Sequence, residues 1–131
     1  MSVFESTEKM YEVLGELFET LLAHETVGEK FKQQNVTIRF IMSEPKGEIW
    51  LLPEGKVFCG VPEGRKEDIS MTLSGDTAHK FWLKQITMPV ALAKGLIKAK
   101  GPLPKVLKLL PLLNPAYEAY PEIAKKHGLQ I

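Results

Sequence analysis

The chain has 131 residues, 44% of them apolar and 25% charged, with a formal net charge of +1. These proportions describe one ordinary globular domain, and near-neutrality argues against a dedicated nucleic-acid binder, whose affinity rests on neutralising phosphates. The single cysteine, Cys59, excludes an intrachain disulfide and a cysteine-based zinc site.

The amino terminus, MSVFESTEKM, lacks the basic start and apolar core of a secretory signal. Ser2 and Glu5 have capping-box spacing. Met10, Val13, Leu14, Leu17, Phe18, Leu21 and Leu22 follow at helical spacing, which predicts an amphipathic helix of about five turns. Thr26-Val27-Gly28-Glu29 repeats the capping-box pattern and predicts a second, short helix that includes Phe31. His24, at the end of the first helix, reads as a helix-end cation.

The middle of the chain alternates with period two. Val36, Ile38, Phe40 and Met42 predict a strand, and Glu44-Pro45-Lys46-Gly47 a turn. Residues 48–52 and 57–61 predict two more strands, joined by Pro53-Glu54-Gly55-Lys56 into an antiparallel meander. Asp68–Leu73 alternates cleanly as a fourth strand, after which the period becomes helical. Ser74 or Asp76 caps a helix with Ala78, Phe81, Trp82, Gln85 and Ile86 on one side, and Thr87 caps another with Pro89 near its first turn. Residues 96–100 read as a last strand, 103–112 as a leucine-rich helix, and 114–131 as a helical tail stopped by Gly128. The order is ααβββ–β–αα–β–αα, one domain over residues 1–131.

Enzyme chemistry has little to rest on. Cys59 sits mid-strand and reads as a buried, unreactive thiol. His24, His79 and His127 share no metal-ligand spacing; His127 precedes a glycine helix stop and reads as a helix-end cation, and His79 reads as a surface residue. Neither a cofactor nor a metal is implied.

Apolar surface is in surplus near the end of the chain. Leu103, Val106, Leu107 and Leu110 make one complete stripe, and Leu109, Leu112 and Leu113 spread it over half the helix or more. Such a helix is buried on several sides, lines a cavity, or meets a lipid or partner. Phe81, Trp82, Val90 and Leu92 add a second apolar set. Residues 76–113 carry Asp76 against seven lysines, whereas residues 1–30 carry seven glutamates against Lys9 and Lys30. Lys94, Lys98, Lys100, Lys105 and Lys108 alternate with the greasy positions. A carboxylate or CoA phosphate on an apolar ligand would want those ammonium groups, as would an anionic membrane surface. The longest greasy run, Val106–Leu113, falls well short of the ~20 residues that span a bilayer. A reduced cytoplasmic setting is expected.

Asp68-Ile69-Ser70-Met71-Thr72-Leu73-Ser74, a helix with Phe81 and Trp82, and Gly95-Leu96-Ile97-Lys98-Ala99-Lys100-Gly101 together resemble the sterol carrier protein type 2 domain. The specific match lies within residues 68–110. The family's lysine after the first glycine is Leu96 here, and its acid after the second is Pro102. The resemblance implies an α/β fold with a five-stranded, mostly antiparallel sheet, helices covering one face, and an apolar tunnel between them for fatty acids, acyl-CoAs or sterol-like lipids. It implies no catalytic residues. By position it places Phe81, Trp82, Val90, Leu103, Val106, Leu107 and Leu110 on the lining, while the tail is a lid, a plug or a dimer contact. The expected function is non-enzymatic lipid binding or transfer. The alternative is an interaction or dimerisation module of acyl-CoA metabolism.

Overall fold

The computed structural model describes residues 2–131; the side chains of Leu103 and Val106 lie outside the described residues. Helix α1 spans Thr7–Ala23, and its start is fixed by Ser6, whose hydroxyl accepts from the Lys9 N–H at 3.0 Å. The expected cap at Ser2 is therefore displaced. Phe4 is fully buried, and the Val3 N–H donates to Asp76 Oδ1 at 2.7 Å, so these residues serve the core instead of a helical turn. The predicted stripe from Met10 to Leu22 is buried throughout.

Helix α2, Glu25–Gln34, begins at His24 and not at Thr26. His24 Nδ1 accepts from the Val27 N–H at 3.3 Å, so this residue caps through a lone pair instead of acting as the cation expected. Gly28 makes the sharp α1–α2 corner possible: a Cβ there would lie 2.3 Å from the Leu22 carbonyl oxygen.

The strands are β1 (Ile38–Ser43), β2 (Gly47–Leu52), β3 (Lys56–Cys59), β4 (Ile69–Ser74) and β5 (Ile97–Lys100), ordered β3-β2-β1-β4-β5. The meander β1-β2-β3 is antiparallel as expected, and so is β4-β5. β4 joins β1 in parallel, with Ile38 opposite Ile69 and Leu73 opposite Met42. Asp68 sets this register. Its carboxylate accepts from the Thr37 N–H at 2.9 Å, while the N–H groups of Asp68 and Ile69 both donate to the Thr37 carbonyl. Gly101 permits the chain leaving β5 to pass Asp68 closely, because a Cβ there would sit 2.6 Å from the Asp68 carbonyl oxygen.

The remaining helices are α3 (Gly75–Trp82), α4 (Met88–Ala93), α5 (Leu103–Leu109) and α6 (Asn114–Lys126). Of the two expected caps, Ser74 and Asp76, it is Ser74 that caps α3, accepting from the Thr77 N–H at 3.1 Å. The helix stops at Trp82, and Lys84 turns through a left-handed conformation, which leaves Gln85 exposed instead of on the buried side. The leucine-rich helix is shorter than expected, tightening into a 3-10 turn over Leu110–Leu113. Pro111 has no N–H to continue the α-helical ladder there.

The C-terminal helix α6 docks on α1. Glu16 receives Lys126 Nζ at 2.6 Å and lies 2.9 Å from His127 Nε2, and Tyr120 is fully buried. Core-facing Ile38, Met42, Ile49, Leu51, Ile69, Met71, Leu73 and Ile97 cover one sheet face with the helices above it.

Candidate functional site

Between the sheet and the helical layer lies a cavity of about 60 Å³. Strand residues such as Phe40, Met42 and Met71 form its floor, Phe18 and Leu22 of α1 and Phe31 of α2 one wall, and Phe81, Trp82 and Met88 another. Leu109, Leu110, Leu112 and Leu113 close it from above. Among the described residues every lining side chain is hydrophobic, and none brings a charge, carboxylate, amide or hydroxyl group to the space. Aromatic contacts brace the walls. Phe18 stacks on Phe40 with centroids 4.9 Å apart, and Tyr117 of α6 meets Phe81 and Trp82 at 5.5 and 5.6 Å.

Of the residues the sequence placed on the lining, Phe81, Trp82 and Leu110 face this cavity. Leu103 and Val106 lie outside the described residues in their side chains. Val90 and Leu107 are corrections: they are 43% and 54% exposed and stand outside the lining. Helix geometry supplies the reason. α4 buries Met88 and Ala91, three apart, which turns Val90 outward. Leu107 lies two residues, about 200°, from the buried Leu109. Sequence reading missed Met42, Met71 and Met88 and the inner faces of α1 and α2. The unbroken α1 stripe was the available signal for the last of these.

Lys94, Lys98, Lys100, Lys105 and Lys108 are all exposed. Among the described residues none forms an ion pair. They do not converge on one mouth. In β5, Ile97 and Ala99 turn to the helical side, so Lys98 and Lys100 lie on the opposite sheet face beside Thr72 and Ser70. Lys105 and Lys108 lie on α5, next to the leucine roof, and Lys94 stands at the end of α4.

Two other expectations change. Cys59 is exposed on edge strand β3, not buried, because no further strand covers it. Its sulfur nevertheless lies 4.0 Å from the Tyr11 carbonyl and against Gly15, and desolvation, with Glu19 nearby, pushes the thiol upward in pKa, away from thiolate. His79 is buried, not at the surface. Nδ1 lies 2.7 Å from the Tyr120 hydroxyl and Nε2 2.7 Å from the Gln130 carbonyl. The tautomer with Nε2–H donating to Gln130 and Nδ1 accepting from Tyr120 satisfies both contacts. Burial also pushes the Tyr120 phenol well above its ordinary pKa. Among the described residues no group of three His, Cys, Asp or Glu could hold a metal, and no helix is long and apolar enough to cross a membrane.

This architecture is the sterol carrier protein 2 fold. The sterol carrier protein domain 2 of Helicoverpa armigera superposes over 82% of this chain and 89% of its own, with a TM-score of 0.63 at 20% identity. Palmitated SCP2L2 from Aedes aegypti does so over 70% of this chain and 94% of its own, with a TM-score of 0.51 at 18% identity. The sec-alkylsulfatase Pisa1 from Pseudomonas matches 64% of this chain, with a TM-score of 0.53 at 21% identity, but this chain spans only 14% of that enzyme. No family model and no curated protein matches the sequence.

Proposed function

We propose that this protein is a non-enzymatic carrier of an acyl-chain lipid with an anionic head, a fatty acid or its CoA ester. The observation that carries the reading is the wholly apolar cavity closed by a leucine roof. Only a ligand body without hydrogen-bonding groups loses nothing on entering such a space. The palmitate held by the Aedes aegypti domain of the same fold is a ligand of this chemistry. Lys105 and Lys108, exposed on α5 next to the roof, and Lys94, at the end of α4, are the cations nearest to hand for a carboxylate or phosphate.

Volume decides how loading must occur. Ligand sites usually measure roughly 300–1,000 Å³, far more than the cavity's 60 Å³. The cavity at this volume is therefore too small for an acyl chain, which enters by lifting the roof. Apart from exposed Lys105 and Lys108, residues 103–113 have no polar side chain, so apolar contact alone holds them down. α6 has its own anchors, Glu16 with Lys126 and His127, and Tyr120 with His79. The segment between Gly101-Pro102 and Pro115 can thus move while α6 stays docked.

Native mass spectrometry of freshly purified protein, with titration of a fluorescent fatty acid, tests the proposal. Saturable, stoichiometric uptake is expected. Protein that is always empty and takes up no probe would overturn it. The dimerisation alternative requires a second copy over the roof, and sedimentation at a monomer mass would dismiss it.

A further inference from the structure

The geometry points to a docking surface for an anionic lipid bilayer, formed by α4, the Lys94-Gly95-Leu96 turn and α5. This inference rests on the lipid-carrier reading and names the partner that would supply or receive the ligand. Three observations carry it.

First, Val90, Leu96 and Leu107 are large hydrophobic side chains left exposed, one on α4, one on the turn after it and one on α5. Second, Lys94, Lys105 and Lys108 stand exposed on the same elements without acid partners among the described residues. No acidic residue occurs anywhere between Asp76 and Glu118. Third, this is the outer side of the segment whose inner side, Leu109 to Leu113, closes the cavity.

A surface mixing apolar side chains with cations alone matches the boundary of an anionic membrane, where the former enter the acyl region and the latter meet phosphates. A second copy docking the same face would set lysine against lysine. A bilayer meets both features at once. Drawing α5 toward it also uncovers the cavity on the side where acyl chains are found, so docking and opening become one movement.

The test is co-sedimentation with vesicles of phosphatidylcholine, with and without phosphatidylglycerol, at low and high salt. Binding only to the anionic vesicles, weakened by salt, is expected. Replacing Lys94, Lys105 and Lys108 together by Gln should reduce partitioning on the order of a hundredfold, at about fivefold per lysine. Replacing Lys32, Lys56 and Lys66 by Gln changes net charge equally but on α2, β3 and the loop before β4, and should leave binding unchanged. Leu96→Ser with Leu107→Ser should weaken binding several-fold while uptake of a fluorescent fatty acid from vesicle-free solution persists. Hydrogen exchange of the wild-type chain supplies a readout independent of variants, with residues 88–108 slowed by anionic vesicles. Equal losses in the two lysine triples, absence of vesicle binding, or exchange protection elsewhere would overturn the inference. Uptake without vesicle binding would sink docking alone. Vesicle binding without any uptake would sink the carrier reading on which docking rests.

Discussion

His79 and Tyr120 show how a single buried polar pair ties distant parts of the chain. The imidazole is held between the Tyr120 hydroxyl and the Gln130 carbonyl, 41 and 51 residues further along the chain. Removing one partner from a buried pair leaves the other unsatisfied, which costs about 1–3 kcal/mol. Tyr120→Phe should therefore lower the thermal midpoint by several degrees in a calorimetric scan. Fatty-acid uptake should change little, because Tyr120 does not line the cavity. A variant as stable as the parent would mean that the pair contributes nothing. Neither partner could be assigned from local pattern, so His79 read as a surface residue. The α1 stripe, by contrast, was legible because seven residues repeat the helical period and average out any one misplacement.

At the scale of elements, short segments are where periodicity runs out. α4 has six residues, too few to distinguish Met88 with Ala91 from Val90 as the inward side. Pro111 was visible in the sequence, but that the chain would bend there into a 3-10 turn and bring Leu112 and Leu113 to the cavity depended on what lay beneath. The roof also makes its own prediction. Leu109 is buried and lines the cavity, so Leu109→Trp fills the space that an acyl chain would enlarge. Overpacking of this kind costs about 1–3 kcal/mol. Titration with a fluorescent fatty acid should show affinity reduced at least about tenfold, as expected if a few kcal/mol of binding are lost, with circular dichroism retained. Undiminished affinity would place the ligand elsewhere.

Carboxylates paired with cations tie distant elements of the molecule together. Glu16 joins α1 to α6 through Lys126 and His127, and Glu48 and Glu67 grip Arg39 at 2.8 and 2.9 Å, tying the β3–β4 crossing to the sheet. Hydrogen bonding from Lys126 holds Glu16 below the usual carboxylate pKa of 4.5, and hydrogen bonding from Arg39 does the same for Glu48 and Glu67. A depressed carboxylate keeps the folded chain ionised where the unfolded chain has already taken up protons. Its contribution is complete above about 4.5 and is lost as pH falls through the lower folded value. Urea midpoints should accordingly be flat near neutrality and fall as the pH drops below about 4.5. Glu16→Gln, already lacking one of these groups, should show a shallower fall. An equally steep decline in that variant would put the acid sensitivity elsewhere.

Read alone, the residues were enough for the order of helices and strands, the switch from period two to period 3.6 after Leu73, a helix cap at Ser74 or Asp76 and the greasy excess before the tail. These are local properties, set by spacings of a few residues and the dihedral preferences that go with them. Only tertiary structure decided that β4 lies parallel to β1, that His79 is enclosed, that the five lysines divide between two sides, and that the cavity measures 60 Å³ and not several hundred. A cavity is the small difference between the volume that distant elements enclose and the volume their side chains fill. No stretch of sequence contains that difference, because it exists only once those elements have met.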